Sequence, residues 1–136
     1  MSNHFHLLIS VRSKEEQEKL YESRNLKTKK LRTPSKHLAN FFSSYTQSLN
    51  KQTGRVGSLF QKNFKRKEID SDDYFRKLVV YIHQNPAHHN FNSKFSEYPF
   101  SSFDHYTKND ESFLNKGKTI ELFGGIENFK EAHYLV

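Results

Sequence analysis

Two histidines stand two residues apart near the start of the chain, in the run Asn3-His-Phe-His-Leu-Leu-Ile-Ser-Val11. Phe5, Leu7 and Ile9 alternate with His4, His6 and Leu8, which predicts a strand over residues 3–11. Residues two apart on a strand share a face, so the imidazoles of His4 and His6 can converge on one metal ion. The same spacing also suits the polar face of an ordinary strand. A second pair, Tyr81 and Asn85, is separated by one helical turn and so shares a helix face. A phenol and a carboxamide oxygen then point the same way. The alternative is that Tyr81 packs in the core and Asn85 caps the helix ahead of Pro86.

A third feature is the run Gly54-Arg-Val-Gly-Ser-Leu-Phe-Gln-Lys-Asn-Phe-Lys-Arg-Lys-Glu-Ile-Asp70. Its aromatic rings interleave with Arg55, Lys62, Lys65, Arg66 and Lys67, a mixture that suits phosphate contact with base stacking. It would equally serve a solvated sheet edge guarded by lysines. A second basic stretch, Arg24 to Arg32, carries Lys27, Lys29, Lys30 and Arg32 with no apolar period, and reads as a loop or a helix end.

The elements that must position these residues follow from apolar spacing. Lys14 to Tyr21 is charged and compatible with a helix. Thr33-Pro34 is a helix start, after which Leu38, Phe41, Phe42, Tyr45 and Leu49 keep helical spacing until Gly54. Gly54 to Gly57 reads as a turn, and Ser58–Phe60 and Phe64–Ile69 as short extended segments. Ser71 or Asp72 caps a further helix with Tyr74, Phe75, Leu78, Val79 and Ile82 as its buried face, and Pro86 ends it. The remainder reads as loop-rich, with one last short helix from Glu127 to His133 after Gly124-Gly125.

Composition narrows the class. With 136 residues and no internal repeat, the chain reads as one domain. Hydrophobic residues make up 34% and aromatics 15%, so the core must come from Phe and Tyr rather than from aliphatics. Mean hydropathy is low at -0.90, yet the periodic apolar segments speak against disorder. Cysteine is absent, which excludes disulfides, thiolate nucleophiles and thiolate zinc sites. No apolar run approaches a membrane span, and the N-terminus lacks the order of a signal peptide; both predict a cytoplasmic protein. The net charge of +7 points to a polyanion as partner, in the first place nucleic acid.

Four ordered segments together resemble the REP-associated tyrosine transposases, a branch of the single-tyrosine HUH transposases. They are Met-Ser-Asn-His-Phe-His-Leu-Leu-Ile9, Gly54 to Asp70, Tyr-Ile-His-Gln-Asn-Pro86 and Tyr-Pro-Phe-Ser-Ser102. The tail from Leu122-Phe-Gly-Gly through Phe129 to His133 is similar too, so the likeness covers nearly the whole chain. The resemblance implies an α+β fold, an antiparallel sheet with helices packed on one face. It implies Tyr81 as nucleophile, and His4, His6 and Asn85 as ligands of Mg²⁺ or Mn²⁺. The substrate it implies is single-stranded DNA beside a hairpin, cut and rejoined through a 5′-phosphotyrosine, with a homodimer among the expected arrangements. His83 faces elsewhere and is not recruited; His88 and His89 read as solvent or phosphate contacts; His37, His105 and His133 carry no role. Members of that family have a further strand and helix ahead of this segment, so the resemblance predicts an open sheet edge near His4 that a partner chain would cover. Two rival readings remain: a nucleic-acid-binding remnant that no longer cleaves, and a metal-dependent hydrolase using water with Tyr81 structural.

Overall fold

The computed structural model describes residues 4–25, 31–61, 64–90, 94–108 and 112–135. Its contacts divide into two compact units, Ile9–Arg66 on the one hand and Met1–Leu8 with Lys67–Val136 on the other. The architecture corrects the expected fold class. Among the described residues every regular element is helical and there is no strand, so neither the α+β class nor its antiparallel sheet is present. Residues 4–11, 58–60 and 64–69 are all non-helical, and none of them forms a ladder. Alternation gives a segment two unlike sides, but a strand also needs a neighbour to take its N–H and C=O groups.

In the Ile9–Arg66 unit, helix α1 spans Lys14–Ser23 and starts with a reciprocal cap. The Glu16 N–H donates to Ser13 Oγ at 3.2 Å, and the Ser13 N–H donates to Glu16 Oε2 at 2.7 Å. Helix α2, Pro34–Thr53, begins and ends where the sequence places it. Thr33 Oγ1 accepts the Lys36 N–H, and Gly54 closes the helix at φ 66°, a left-handed conformation that favours glycine. The Phe42 ring lies 4.9 Å from Phe60 and 5.8 Å from Phe64, while Tyr21 Oη meets His37 Nε2 at 3.2 Å to tie α1 to α2. Yet neither helix has a fully buried residue, and Phe41 and Tyr45, expected in the core, stay 59% and 51% exposed.

The other unit holds the fully buried core. Helix α3 spans Asp72–His88 with Ser71 as its cap; a 3₁₀ turn at Phe95–Glu97, α4 at Phe103–Thr107, α5 at Lys116–Leu122 and α6 at Ile126–Tyr134 follow. Helices α4 and α5, of 5 and 7 residues, lie in the stretch expected to be loop; elements so short cannot display a helical period. They matter because they bring Phe103 and Phe123 onto Phe129, whose ring is wholly buried, with centroids 5.9 and 5.0 Å away. Val79 and Val80 of α3 complete this cluster. Burying a phenylalanine contributes about 1.5–3 kcal/mol, so this aromatic set holds the unit together.

Pro86 does not end α3. The helix runs on to His88, and the His89 N–H still reaches the Asn85 carbonyl at 3.1 Å. Proline removes the bond its own N–H would make to the carbonyl four residues earlier, and here that loss falls within the last turn. The deepest part of α3 is also shifted from the expected apolar stripe. Tyr74, Phe75, Leu78 and Ile82 are half-buried, whereas His83, Gln84, Asn85 and Pro86 are buried with Val79 and Val80. Among the described residues, no helix is long and apolar enough to cross a membrane.

Candidate functional site

Helix α3 carries two unlike polar groups on its buried turns. On one face stands His83, 2% exposed, with both ring nitrogens engaged. Its Nδ1 is 2.8 Å from His133 Nε2, its Nε2 is 2.8 Å from Ser102 Oγ, and His133 Nδ1 is 2.7 Å from the Phe129 carbonyl. A carbonyl can only accept, so His133 carries its proton on Nδ1. His133 Nε2 therefore accepts from His83 Nδ1, and His83 Nε2 accepts from the Ser102 hydroxyl. Every tautomer in the chain follows from its last acceptor. Desolvation, with His133 adding to it, pushes the His83 pKa down to about 3. Burial also lowers that of His133, against a smaller upward pull from the Phe129 carbonyl. Both rings are neutral at pH 7 and belong to one hydrogen-bonded chain; His83 faces away from Tyr81 as its spacing requires, and His133, to which the sequence assigned no role, is its partner.

The other face carries Tyr81 and Asn85. Tyr81 is 47% exposed, and its ring stands 5.8 Å from that of His6 at 70°. His6 in turn lies 5.5 Å from His4, edge to face. Four of the residues named by the sequence therefore belong to one neighbourhood: Tyr81 and His6 by contact, His4 through His6, and Asn85 by its place on α3. Asn85 is 1% exposed, and neither Oδ1 nor Nδ2 meets a hydrogen-bond partner. An unpaired buried polar group costs about 1–3 kcal/mol, so a native structure keeps one only for a reason such as a bound ion, a buried water or strain. The reading of Asn85 as a helix cap is thereby corrected, since its side chain caps nothing. Desolvation first, then the rings of His4 and His89, hold the His6 pKa below the ordinary histidine value. A neutral imidazole is the form that ligates a metal.

His89, read from the sequence as a solvent or phosphate contact, stands beside His4. Its ring lies 5.6 Å from His4 at 84°. The available signal was helical: Tyr81, Asn85 and His89 succeed one another at single-turn spacing, and only the belief that Pro86 ends the helix hid it. Two imidazoles and a carboxamide oxygen make a donor set softer than an all-oxygen Mg²⁺ site. Among the described residues, no three His, Cys, Asp or Glu side chains already stand as a metal-holding group.

The expected DNA-contacting residues are divided between the two compact units. Lys27, Lys29, Lys30 and Lys62 lie outside the described residues. Arg32, Arg55, Lys65, Arg66 and Lys67 are all exposed. Arg55 donates to Asn50 Oδ1 at 3.3 Å and weakly to the Ser58 carbonyl at 3.4 Å, and Arg66 donates to Ser35 Oγ. Lys67 Nζ sits 4.5 Å over the Tyr74 ring, a cation–π contact. No protein-family model, curated protein or solved structure matches the chain.

Proposed function

We propose that the chain is a metal-dependent endonuclease and strand transferase of single-stranded DNA that acts beside hairpins through a 5′-phosphotyrosine at Tyr81. The observation that carries this reading is a half-exposed phenol in contact with His6, one helical turn from a buried carboxamide that has no partner. The resemblance of the four ordered motifs to single-tyrosine HUH transposases supports it, as does the +7 charge.

In this reading His4, His6 and Asn85 hold Mg²⁺ or Mn²⁺, which when bound supplies Lewis acidity at the scissile phosphate. Tyr81 Oη attacks phosphorus, forming the tyrosyl ester as the bond from phosphorus to the 3′-oxygen breaks. The phenolic proton ends on the departing 3′-hydroxyl. One phosphoester replaces another, so rejoining needs no nucleotide. Exposed Arg and Lys side chains hold the strand by its phosphates, while neighbouring aromatic rings offer stacking surfaces.

The test is a denaturing gel of the full chain with labelled single-stranded hairpin DNA and Mn²⁺, beside Tyr81→Phe. A protein-linked band that needs both Tyr81 and metal is the expected result. DNA binding that survives Tyr81→Phe and His4→Ala, with no cleavage by any variant, would instead establish a non-catalytic nucleic-acid-binding remnant. Cleavage that continues in Tyr81→Phe without an adduct would make the chain a hydrolase.

A further inference from the structure

The arc of rings on α3 does not stop at the two histidines of the amino-terminal segment. His89, His4, His6 and Tyr81 follow one another in contact, with centroid separations of 5.6, 5.5 and 5.8 Å. Tyr81 and His89 are two turns apart on the helix, a rise of about 12 Å. His4 and His6 are at most about 7 Å apart along the backbone. The amino-terminal segment therefore bridges the two turns through its ring contacts, and Asn85 stands on the turn midway between Tyr81 and His89 with its carboxamide unpaired. Two imidazoles bound to a common ion at metal–nitrogen distances near 2.1 Å have centroids roughly 5 Å apart. The observed spacings are slightly wider and the rings meet edge to face, so their donor atoms do not converge as they stand. All three histidines are exposed, and a change of staggered rotamer would turn each ring toward a common ion.

We infer that His89 is a third imidazole ligand, and that His4, His6, His89 and the Asn85 carboxamide oxygen form an N₃O site for a borderline divalent ion such as Zn²⁺ or Co²⁺. This rests on the proposed function's placing a metal beside Tyr81, and it changes which ion the site prefers. Three nitrogen donors against one oxygen disfavour Mg²⁺, a hard ion that keeps its waters and oxygen ligands. They favour the ions late in the first-row series, among which Zn²⁺ is content with four ligands. The Asn85 oxygen, the one donor held rigidly by burial, sets the position around which the exposed rings close.

The experiment titrates the full chain with Co²⁺, read by visible absorption, and with Zn²⁺, Mn²⁺ and Mg²⁺, read by calorimetry. Wild type is compared with His89→Ala, His4→Ala and His88→Ala, the last a neighbouring histidine that takes no part. The expected result is one site per chain, tightest for Zn²⁺ and weakest for Mg²⁺. His89→Ala should weaken Zn²⁺ at least about 10-fold and alter the cobalt band, while His88→Ala leaves both unchanged. If His4→Ala abolishes binding but His89→Ala does not change it, the third ligand is refuted and the two-histidine site of the proposed function stands. Failure of wild type to bind any of the four ions overturns the inference along with the metal in the proposed function. Loss of Zn²⁺ binding in His89→Ala, in a protein that forms no DNA adduct, upholds the site and refutes the DNA chemistry alone.

Discussion

The two polar faces of helix α3 are only two residues apart in sequence and could hardly be more different in how they are satisfied. His83 uses both nitrogens, Ser102 and His133 complete its chain, and a backbone carbonyl closes it. Gln84 follows the same rule by donating to the His133 carbonyl at 2.9 Å. Asn85 is buried as deeply as either and has nothing. Folding therefore accounts for the first face and not for the second. A buried group that the fold leaves unpaired costs stability, and the cost is tolerated where the group serves a ligand. Depth of burial does not separate His83 from Asn85 in this helix; hydrogen-bond completeness does.

The contrast can be broken in several ways. The largest effect belongs to the aromatic core that supports both faces. Phe129→Ala should destabilise the protein by about 3–5 kcal/mol, read from urea unfolding; a loss below about 1 kcal/mol would mean that the ring is not packed as described. Acid comes next. The folded pKa of His83 is about 3 and that of His133 is also lowered, against 6.5 for the ordinary group. Between those limits the unfolded chain binds protons that the folded chain does not, so stability is complete above pH 6.5 and falls as pH drops toward 3. The slope approaches about 1.4 kcal/mol per pH unit for each such proton. Melting curves from pH 7 to 4 should show this fall, and in a His83→Leu, His133→Leu double variant it should flatten.

A smaller effect sharpens the satisfied face. His83→Leu strands the Ser102 hydroxyl and the His133 ring and should cost roughly 1–3 kcal/mol. Adding His133→Leu should recover part of it, because removing both partners is cheaper than removing one. Strict additivity of the two would show that the rings do not bond. The smallest change, and the one of opposite sign, is at the unpaired face. Asn85→Leu should leave metal-free stability unchanged or raise it by about 1 kcal/mol, while abolishing the upward shift in Tm that Zn²⁺ or Mn²⁺ gives the parent protein. A clear loss of metal-free stability would reveal a partner for the amide and remove the distinction between the faces.

Much of this was legible in the sequence wherever the signal was local. Caps and stops are written in one or two residues, so α2 and the start of α3 stand where Thr33-Pro34, Gly54 and Ser71 place them. Tyr81 and Asn85 share a face because helical spacing alone requires it, and composition alone required a core built of rings. The rest depended on what each segment meets. Alternation in residues 3–11 predicted a strand, but no described neighbour offers a ladder, and the segment's histidines lie along a helix instead. Pro86 was a stop by local rule, and the helix passes it because His89 can still bond to the Asn85 carbonyl. Sequence thus determined which residues could act together on one turn of helix. Tertiary structure decided that Phe129 and His133 would close over His83, and that the rings of His89, His4 and His6 would run in contact to Tyr81. A contact between residues far apart in the chain is set by packing, which no local pattern records.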